Sequence, residues 1–342
     1  MCGQHLRTET AGASADPGTP ETVAARLRDG MAHGVLSFPL TSFRADGTLD
    51  LDGYRAYVAA QVATAPGALF PACGTGEFFS LDEDEYRRVV TAAVEETAGR
   101  VPVVAGTGYG WAQAARFARI AEEAGADALL VLPHYLVSGP QSGLLAQIEQ
   151  LAARTRLPLV VYQRDQVVFT ADTLRRIAAL PNVIGFKDGH SDLDRLQRLT
   201  LAAPDGFLFF NGAATAEVQA RAYAAVGVPA YSSAVHAFAP EIAAAFLDAL
   251  HAGPAGTDRV DALLRTFYVP FVELRDRVPG YGVSLVKAAA RLRGRPVGPV
   301  RAPLADPTPE HLATLERLLA AGLDLATAPA RTPAATPLGA TR

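Results

Sequence analysis

Eight short apolar runs, each followed by a helical pattern, decide most of what this chain can fold into. They cover residues 35–39, 68–72, 101–105, 128–132, 158–162, 182–187, 207–210 and 228–231. Between them apolar positions recur with a helical period, as at residues 50–63, where Leu51, Tyr54, Tyr57, Val58 and Val62 share one face. Strand–helix alternation of this kind demands a parallel sheet joined by right-handed crossovers. Eight such units over about 220 residues are the size of a closed (β/α)8 TIM barrel, an α/β fold. The structural alternative is an open doubly wound sheet, which wants a glycine-rich first turn. The nearest match, Gly106-Thr107-Gly108-Tyr109-Gly110, follows the third run, and Trp111 stands where the third glycine belongs. A dinucleotide site is therefore rejected.

Composition narrows the partners. The 342 residues are 49% hydrophobic and carry 31 basic against 35 acidic side chains, a formal charge of −4. That suits one large core with an appendage and, lacking a basic stripe, argues against nucleic acid. No apolar run approaches the roughly 20 residues of a membrane span, and residues 8–22 are too polar for a signal-peptide core. No membrane association is expected, and the expected location is the cytoplasm. Cys2 and Cys73 are too few for a disulfide framework.

Residues 1–20 read as a flexible leader, 21–252 as the barrel, 253–322 as a C-terminal helical extension and 323–342 as a flexible Ala/Pro/Thr-rich tail. Helical stretches in the extension cover 257–275, 284–292 and 309–319, the first with Leu263, Phe267, Phe271 and Leu274 as its buried stripe. Ser80 with Glu83 reads as a capping box for the helix after the second strand. Residues 215–226 read as the helix after the seventh.

The reactive groups of such a barrel gather where its strands end. Read there, the chain offers Ser37 and Thr41, then Gly74, Thr75, Gly76 and Glu77, Tyr109, Tyr135, Tyr162 with Arg164, Lys187, Asn211, and Ser232 with Ser233. Only two lysines exist. Lys287 sits in a helical pattern, whereas Lys187 ends the run Val183-Ile184-Gly185-Phe186. Desolvation favours the neutral amine at such a place, and a neutral amine attacks carbonyl carbon to give a Schiff base. A surface lysine just past a strand end is the plainer reading. The Tyr135 phenol can relay protons to and from a carbinolamine. Gly74 and Gly76 let backbone amides approach an anion, and Thr75 adds a hydroxyl donor. Together these point to carbonyl chemistry beside a turn that can hold an anion.

The same stretches carry a family resemblance. Gly74-Thr75-Gly76-Glu77, Pro133-His134-Tyr135 and Gly185-Phe186-Lys187-Asp188-Gly189 resemble the dihydrodipicolinate synthase / N-acetylneuraminate lyase superfamily, from about residue 19 to 319. Within it the chain is most similar to the 5-dehydro-4-deoxyglucarate dehydratases. The residues behind that are Leu36-Ser37-Phe38-Pro39, Phe78-Phe79-Ser80-Leu81 after the Gly-Thr-Gly-Glu turn, Tyr231-Ser232-Ser233-Ala234-Val235 and Gly298-Pro299-Val300-Arg301-Ala302-Pro303-Leu304. The resemblance implies Lys187 as the Schiff-base lysine, Tyr135 as the proton relay, and Thr75 with its neighbouring backbone as the seat of the keto carboxylate. It implies loss of water and CO2 from a six-carbon keto-deoxy diacid to give 2,5-dioxopentanoate, with no metal and no added cofactor. It also implies a homo-oligomer, a tetramer.

This chain departs from the dehydratase pattern at His134, Gln163, Gln166, His190 and His236. All are at the mouth, so they bear on the substrate more than on the imine. Two other functions stay open: another class I pyruvate-type aldolase or synthase on the same lysine, and a non-catalytic keto-acid-binding barrel. The three strand-end histidines leave a shared metal site as a lesser reading. Arg164 pairs either with a distal carboxylate of the substrate or with Asp165 or Asp188. Glu77 reads as structural, Cys73 as a small buried residue, and Trp111 and Phe78-Phe79 as core or subunit contact.

Overall fold

The computed structural model describes residues 18–328, so most of the expected leader and tail lies outside the described residues. Strand β1 (Leu36–Ser37) pairs in parallel with β2 (Ala68–Leu69) and β8 (Ser232–Ser233). Strands β3 (Val104–Thr107), β4 (Ala128–Val131), β5 (Leu159–Gln163), β6 (Val183–Asp188) and β7 (Leu208–Asn211) follow in sequence order, also parallel. Single parallel bridges, Leu69 to Val103 and Asn211 to Tyr231, join the two arcs into a ring. This is the expected (β/α)8 barrel. Its strands have helices outside and side chains packed inside, so they are buried on both faces and read as continuous apolar runs.

Helix α1 (Pro20–His33) begins with the Thr19 hydroxyl accepting from the Thr22 amide at 3.3 Å and Pro20 in the first turn. It packs on β2 and β6 and closes the N-terminal end of the ring. A Cβ on Gly30 would lie 1.9 Å from the Gly67 carbonyl oxygen, so the helix can approach this closely only with glycine there. The crossover helices are α2 (Leu51–Val62), α3 (Glu83–Thr97), α4 (Trp111–Glu123), α5 (Gln141–Ala152), α6 (Ala171–Ala178), α7 (Leu193–Ala202), α8 (Ala220–Ala225) and α9 (Pro240–His251). In α4, buried Ala114, Phe117, Ala118 and Ala121 form the stripe that meets the barrel.

Several boundaries differ from the sequence reading for physical reasons. Phe78–Ser80 form a 3-10 turn in which the Ser80 hydroxyl donates to the Glu77 carbonyl, so Ser80 does not cap α3. Asp82 caps it instead, and Glu85 completes the box. The expected helix 215–226 divides into a 3-10 turn, Ala216–Gln219, and the short α8, with Thr215 left-handed at φ 55°. β1 stops at Ser37, two residues before Pro39, which has no N–H to donate.

The extension's first stretch is one continuous rod: α10 (Thr257–Leu263), a π-turn (Leu264–Tyr268) and α11 (Val269–Arg275). Leu263, Phe267, Phe271 and Leu274 are buried as the periodicity required. Then come α12 (Tyr281–Leu292) and α13 (Pro309–Thr327). α13 runs past residue 319 into the stretch assigned to the tail, because Leu323, Leu325 and Ala326 still pack against the core.

Candidate active site

Strand β6 places Lys187 inside the barrel. Successive strand residues face opposite ways, so Lys187 points inward and Asp188 outward. Asp188 is held there by the Gln163 amide and the Tyr223 hydroxyl, each at 2.5 Å, and by the backbone amide of Ser191 at 3.3 Å. It therefore gives Lys187 no counter-ion. The lysine is 6% exposed, and its Nζ lies 4.0 Å from the Phe38 ring centre and 4.4 Å from that of Tyr162. Burial lowers the amine to about 7, and the Arg164 guanidinium adds to the shift. The Cys73 thiol is itself pushed up to about 12 by burial, so it stays protonated. An aromatic cage of this sort tolerates the charged amine yet makes the neutral one readily available. A Cβ on Gly212 would sit 2.4 Å from the Lys187 Cε, so the stem lies flat against that glycine.

Lys187 opens onto a cavity of about 490 Å3 at the C-terminal ends of the strands. Gly74, Thr75, Tyr109, Tyr135, Tyr162, Arg164 and Ser232 line it too, which brings eight of the anticipated residues to one site. The Gly74–Gly76 turn is fixed from below: the Glu77 amide donates to the Gly74 carbonyl and the Thr41 hydroxyl to that of Gly76. Among the described residues the amides of Gly74, Thr75 and Gly76 donate no hydrogen bond. Gly74 and Thr75 line the cavity, so their amides are the donors a carboxylate needs.

Tyr135 stands at the rim, 62% exposed, with its ring edge-on to Tyr109 at 5.3 Å. Arg164 Nη1 donates to the Tyr162 hydroxyl at 3.2 Å, and that hydroxyl donates to the Gly212 carbonyl at 3.1 Å. Of the partners considered from sequence, Arg164 meets Asp165 at 3.7 Å and not Asp188. Ser232 donates to the Asn211 carbonyl at 3.1 Å.

The other anticipated residues lie behind this wall. Ser37 is buried between Gln61 and His236, and Thr41 is spent on the turn. Gly76 is buried against the Pro39 carbonyl. Asn211 uses its amide on the Ala216 carbonyl and the Ala213 amide, shaping the loop after β7. Ser233 donates to buried Glu217 at 2.5 Å and accepts from the His236 amide.

The histidines do not converge. His134 lines the cavity, His190 meets the Asp165 carbonyl at 2.8 Å, and His236 is buried between Ser37 and Thr64 with burial lowering it to about 4. Among the described residues no group of three or more His, Cys, Asp or Glu could hold a metal ion.

Two features escaped the sequence. Glu77 accepts from Lys287 Nζ at 2.7 Å and from the Arg301 amide at 3.0 Å, tying the loop after β2 to the extension. Arg275, at the end of α11, also enters the cavity. Both depend on contacts across more than 50 residues, and no local pattern announces them. Phe79, read as core or subunit contact, lines the cavity at 44% exposure, whereas Phe78 is core.

A (β/α)8 barrel whose mouth combines a caged, readily neutral lysine with an anion-binding turn is built as a lyase of carbonyl compounds. The chain belongs to the dihydrodipicolinate synthetase family, whose model matches residues 31–322. The resemblance read from the motifs is thus borne out. A protein of Streptomyces coelicolor named "Probable 5-dehydro-4-deoxyglucarate dehydratase 2" is 75% identical over 92% of this chain and 98% of its own length. One of Rhizobium rhizogenes named "Probable 5-dehydro-4-deoxyglucarate dehydratase" is 44% identical over 86% of this chain and 96% of its own. Among solved structures, dihydrodipicolinate synthase from Bacillus clausii superposes with a TM-score of 0.78 at 27% identity, over 86% of this chain and 98% of that one. A prophage protein of the dihydrodipicolinic acid synthase family from E. coli K12, in complex with pyruvate, does so at 0.75 and 25%, over 85% and 99%. Among the described residues no helix is long and apolar enough to cross a membrane.

Proposed function

We propose that the chain is a Schiff-base lyase that dehydrates and decarboxylates 5-dehydro-4-deoxy-D-glucarate to 2,5-dioxopentanoate. The observation that carries this is the Lys187 amine, lowered to about 7 inside the cavity with no carboxylate beside it. The names of relatives from 75% down to 44% identity support the substrate.

The amine adds to the keto carbon, and water leaves the carbinolamine to give an iminium. Loss of a proton from the adjacent carbon yields an enamine, which expels the β-hydroxyl as water. The conjugated iminium so formed accepts the electron pair released when the far carboxylate leaves as CO2. Protonation and hydrolysis then return the amine. One lysine supplies the electron sink for both bond cleavages.

In this reading Tyr135 relays the protons, and the Gly74-Thr75-Gly76 turn holds the keto carboxylate. Arg164 adds to the burial that lowers the amine, and it faces the substrate together with Ser232. Ser37, Thr41, Asn211 and Ser233 hold the wall on which these groups are mounted. A homo-oligomer, a tetramer by resemblance, is supported by exposed Trp111, Leu136 and Val137. The cytoplasm is the compartment that fits.

A second reading, a pyruvate-type aldolase or synthase, is favoured by the pyruvate complex of the E. coli relative. Incubation with 5-dehydro-4-deoxyglucarate alone separates the two. Release of CO2 with 2,5-dioxopentanoate is expected; dependence on an added aldehyde would mean an aldolase, and imine without product a binding protein.

A further inference from the structure

Arg275 belongs to the extension, yet it faces the same cavity as Lys187. Its side chain is 15% exposed. Nη1 donates to the Thr215 hydroxyl at 2.8 Å, and Nε faces Asp276 at 2.8 Å. Asp276 is itself 60% exposed, so solvent screens that pair and much of the positive charge remains. The two contacts orient the guanidinium plane while Nη2 has no partner among the described residues. Such a fork, held but not used up, suits a carboxylate.

Its position along the cavity follows from the loop after β7. Gly212 lies against the Lys187 stem and Thr215 against Arg275. Three residues of chain span at most about 11 Å, so these two contact points on the loop lie no further apart than that, and both side chains line the one cavity. Lys187 fixes the keto carbon, and the carboxylate next to it belongs to the Gly74–Gly76 turn. The opposite end of a diacid then needs a cation. Arg164 serves that end poorly, because its bond to Tyr162 holds it beside the ring on which the Lys187 Nζ rests.

We propose that Arg275 reads the carboxylate remote from the imine and so selects dicarboxylic over monocarboxylic keto acids. This rests on the diacid reading of the substrate, but its test does not require turnover. Imine formation is read by borohydride trapping over a concentration series of 2-oxoadipate and of 2-oxohexanoate. These are six-carbon keto acids with and without the second carboxylate, and neither carries a hydroxyl to expel.

Wild type should favour 2-oxoadipate. Arg275→Met should reduce that preference by roughly 10- to 100-fold, the usual worth of a charge-assisted hydrogen bond. The affinity for 2-oxohexanoate and the melting temperature should not move. Arg275→Lys keeps the charge without the fork, and a reduced preference there supports the same role should the methionine variant fail to fold. No preference in wild type, or a preference unchanged in the folded variants, overturns the proposal. So does an equal loss for both acids, which would make Arg275 a strut for Thr215. Failure of wild type to release CO2 from the six-carbon substrate strikes the proposed reaction instead and leaves this comparison standing.

Discussion

Lys287 and Glu77, 210 positions apart, meet at 2.7 Å with both side chains wholly buried. The carboxylate also accepts the Arg301 amide, and Arg301 reaches on to the Ser80 carbonyl and to Glu85. The extension thereby clamps the loop that carries Gly74, Thr75 and Gly76. Removing one partner of a buried pair leaves an uncompensated charge, which costs about 3–5 kcal/mol. Lys287→Met should lose stability on that scale, and adding Glu77→Gln should recover part of it. Urea unfolding of the single and double variants checks this; a double variant no more stable than the single one contradicts it.

The Lys187 amine makes stability depend on pH. Burial lowers its folded value to about 7 from 10.5, so between those values the unfolded chain binds more protons and stability rises with pH. The cost of charging the buried amine is full below pH 7 and relieved on the way to 10.5. Lys187→Met should therefore be more stable than wild type at pH 6, by on the order of 3–5 kcal/mol, with the gap closing toward pH 10. A gap that does not change with pH would count against a desolvated amine. In wild type, kcat/KM should climb through pH about 7 as the free amine forms.

Tyr135 tests the proton relay. Its ring is 62% exposed, so its hydroxyl carries no buried bond whose loss would weaken the fold. Tyr135→Phe should leave the melting temperature in place while lowering kcat by roughly 10²–10⁴-fold. Near-normal kcat removes the phenol from the mechanism.

Much of this was legible because the signals are local. Strand β6 announces itself by Val183, Ile184 and Phe186, and strand alternation then fixes where Lys187 points. Gly74 and Thr75 come just after the apolar run 68–72, so the mouth could be inferred before any contact was known. The same rule placed Ser37 and Ser233 at strand ends, yet their hydroxyls turn to His236 and Glu217, a choice made by helices packed behind them. Arg275 and the Glu77–Lys287 pair come from the extension folding back across the mouth. Nothing in a helical pattern says which loop it will meet.

Chelation should not affect turnover, because the iminium already serves as the electron sink that a metal would supply. Dialysis against EDTA followed by assay with and without divalent ions measures this. Loss of activity that a divalent ion restores would reopen a role for His134, His190 or His236.

The central claim is a covalent bond at Lys187. Borohydride added to the enzyme and 5-dehydro-4-deoxyglucarate, followed by peptide mass mapping, should place a reduced adduct on the Lys187 peptide and leave Lys287 unmodified. Lys187→Ala should show no adduct and no turnover while remaining folded. An adduct elsewhere, or turnover in the alanine variant, would contradict the account.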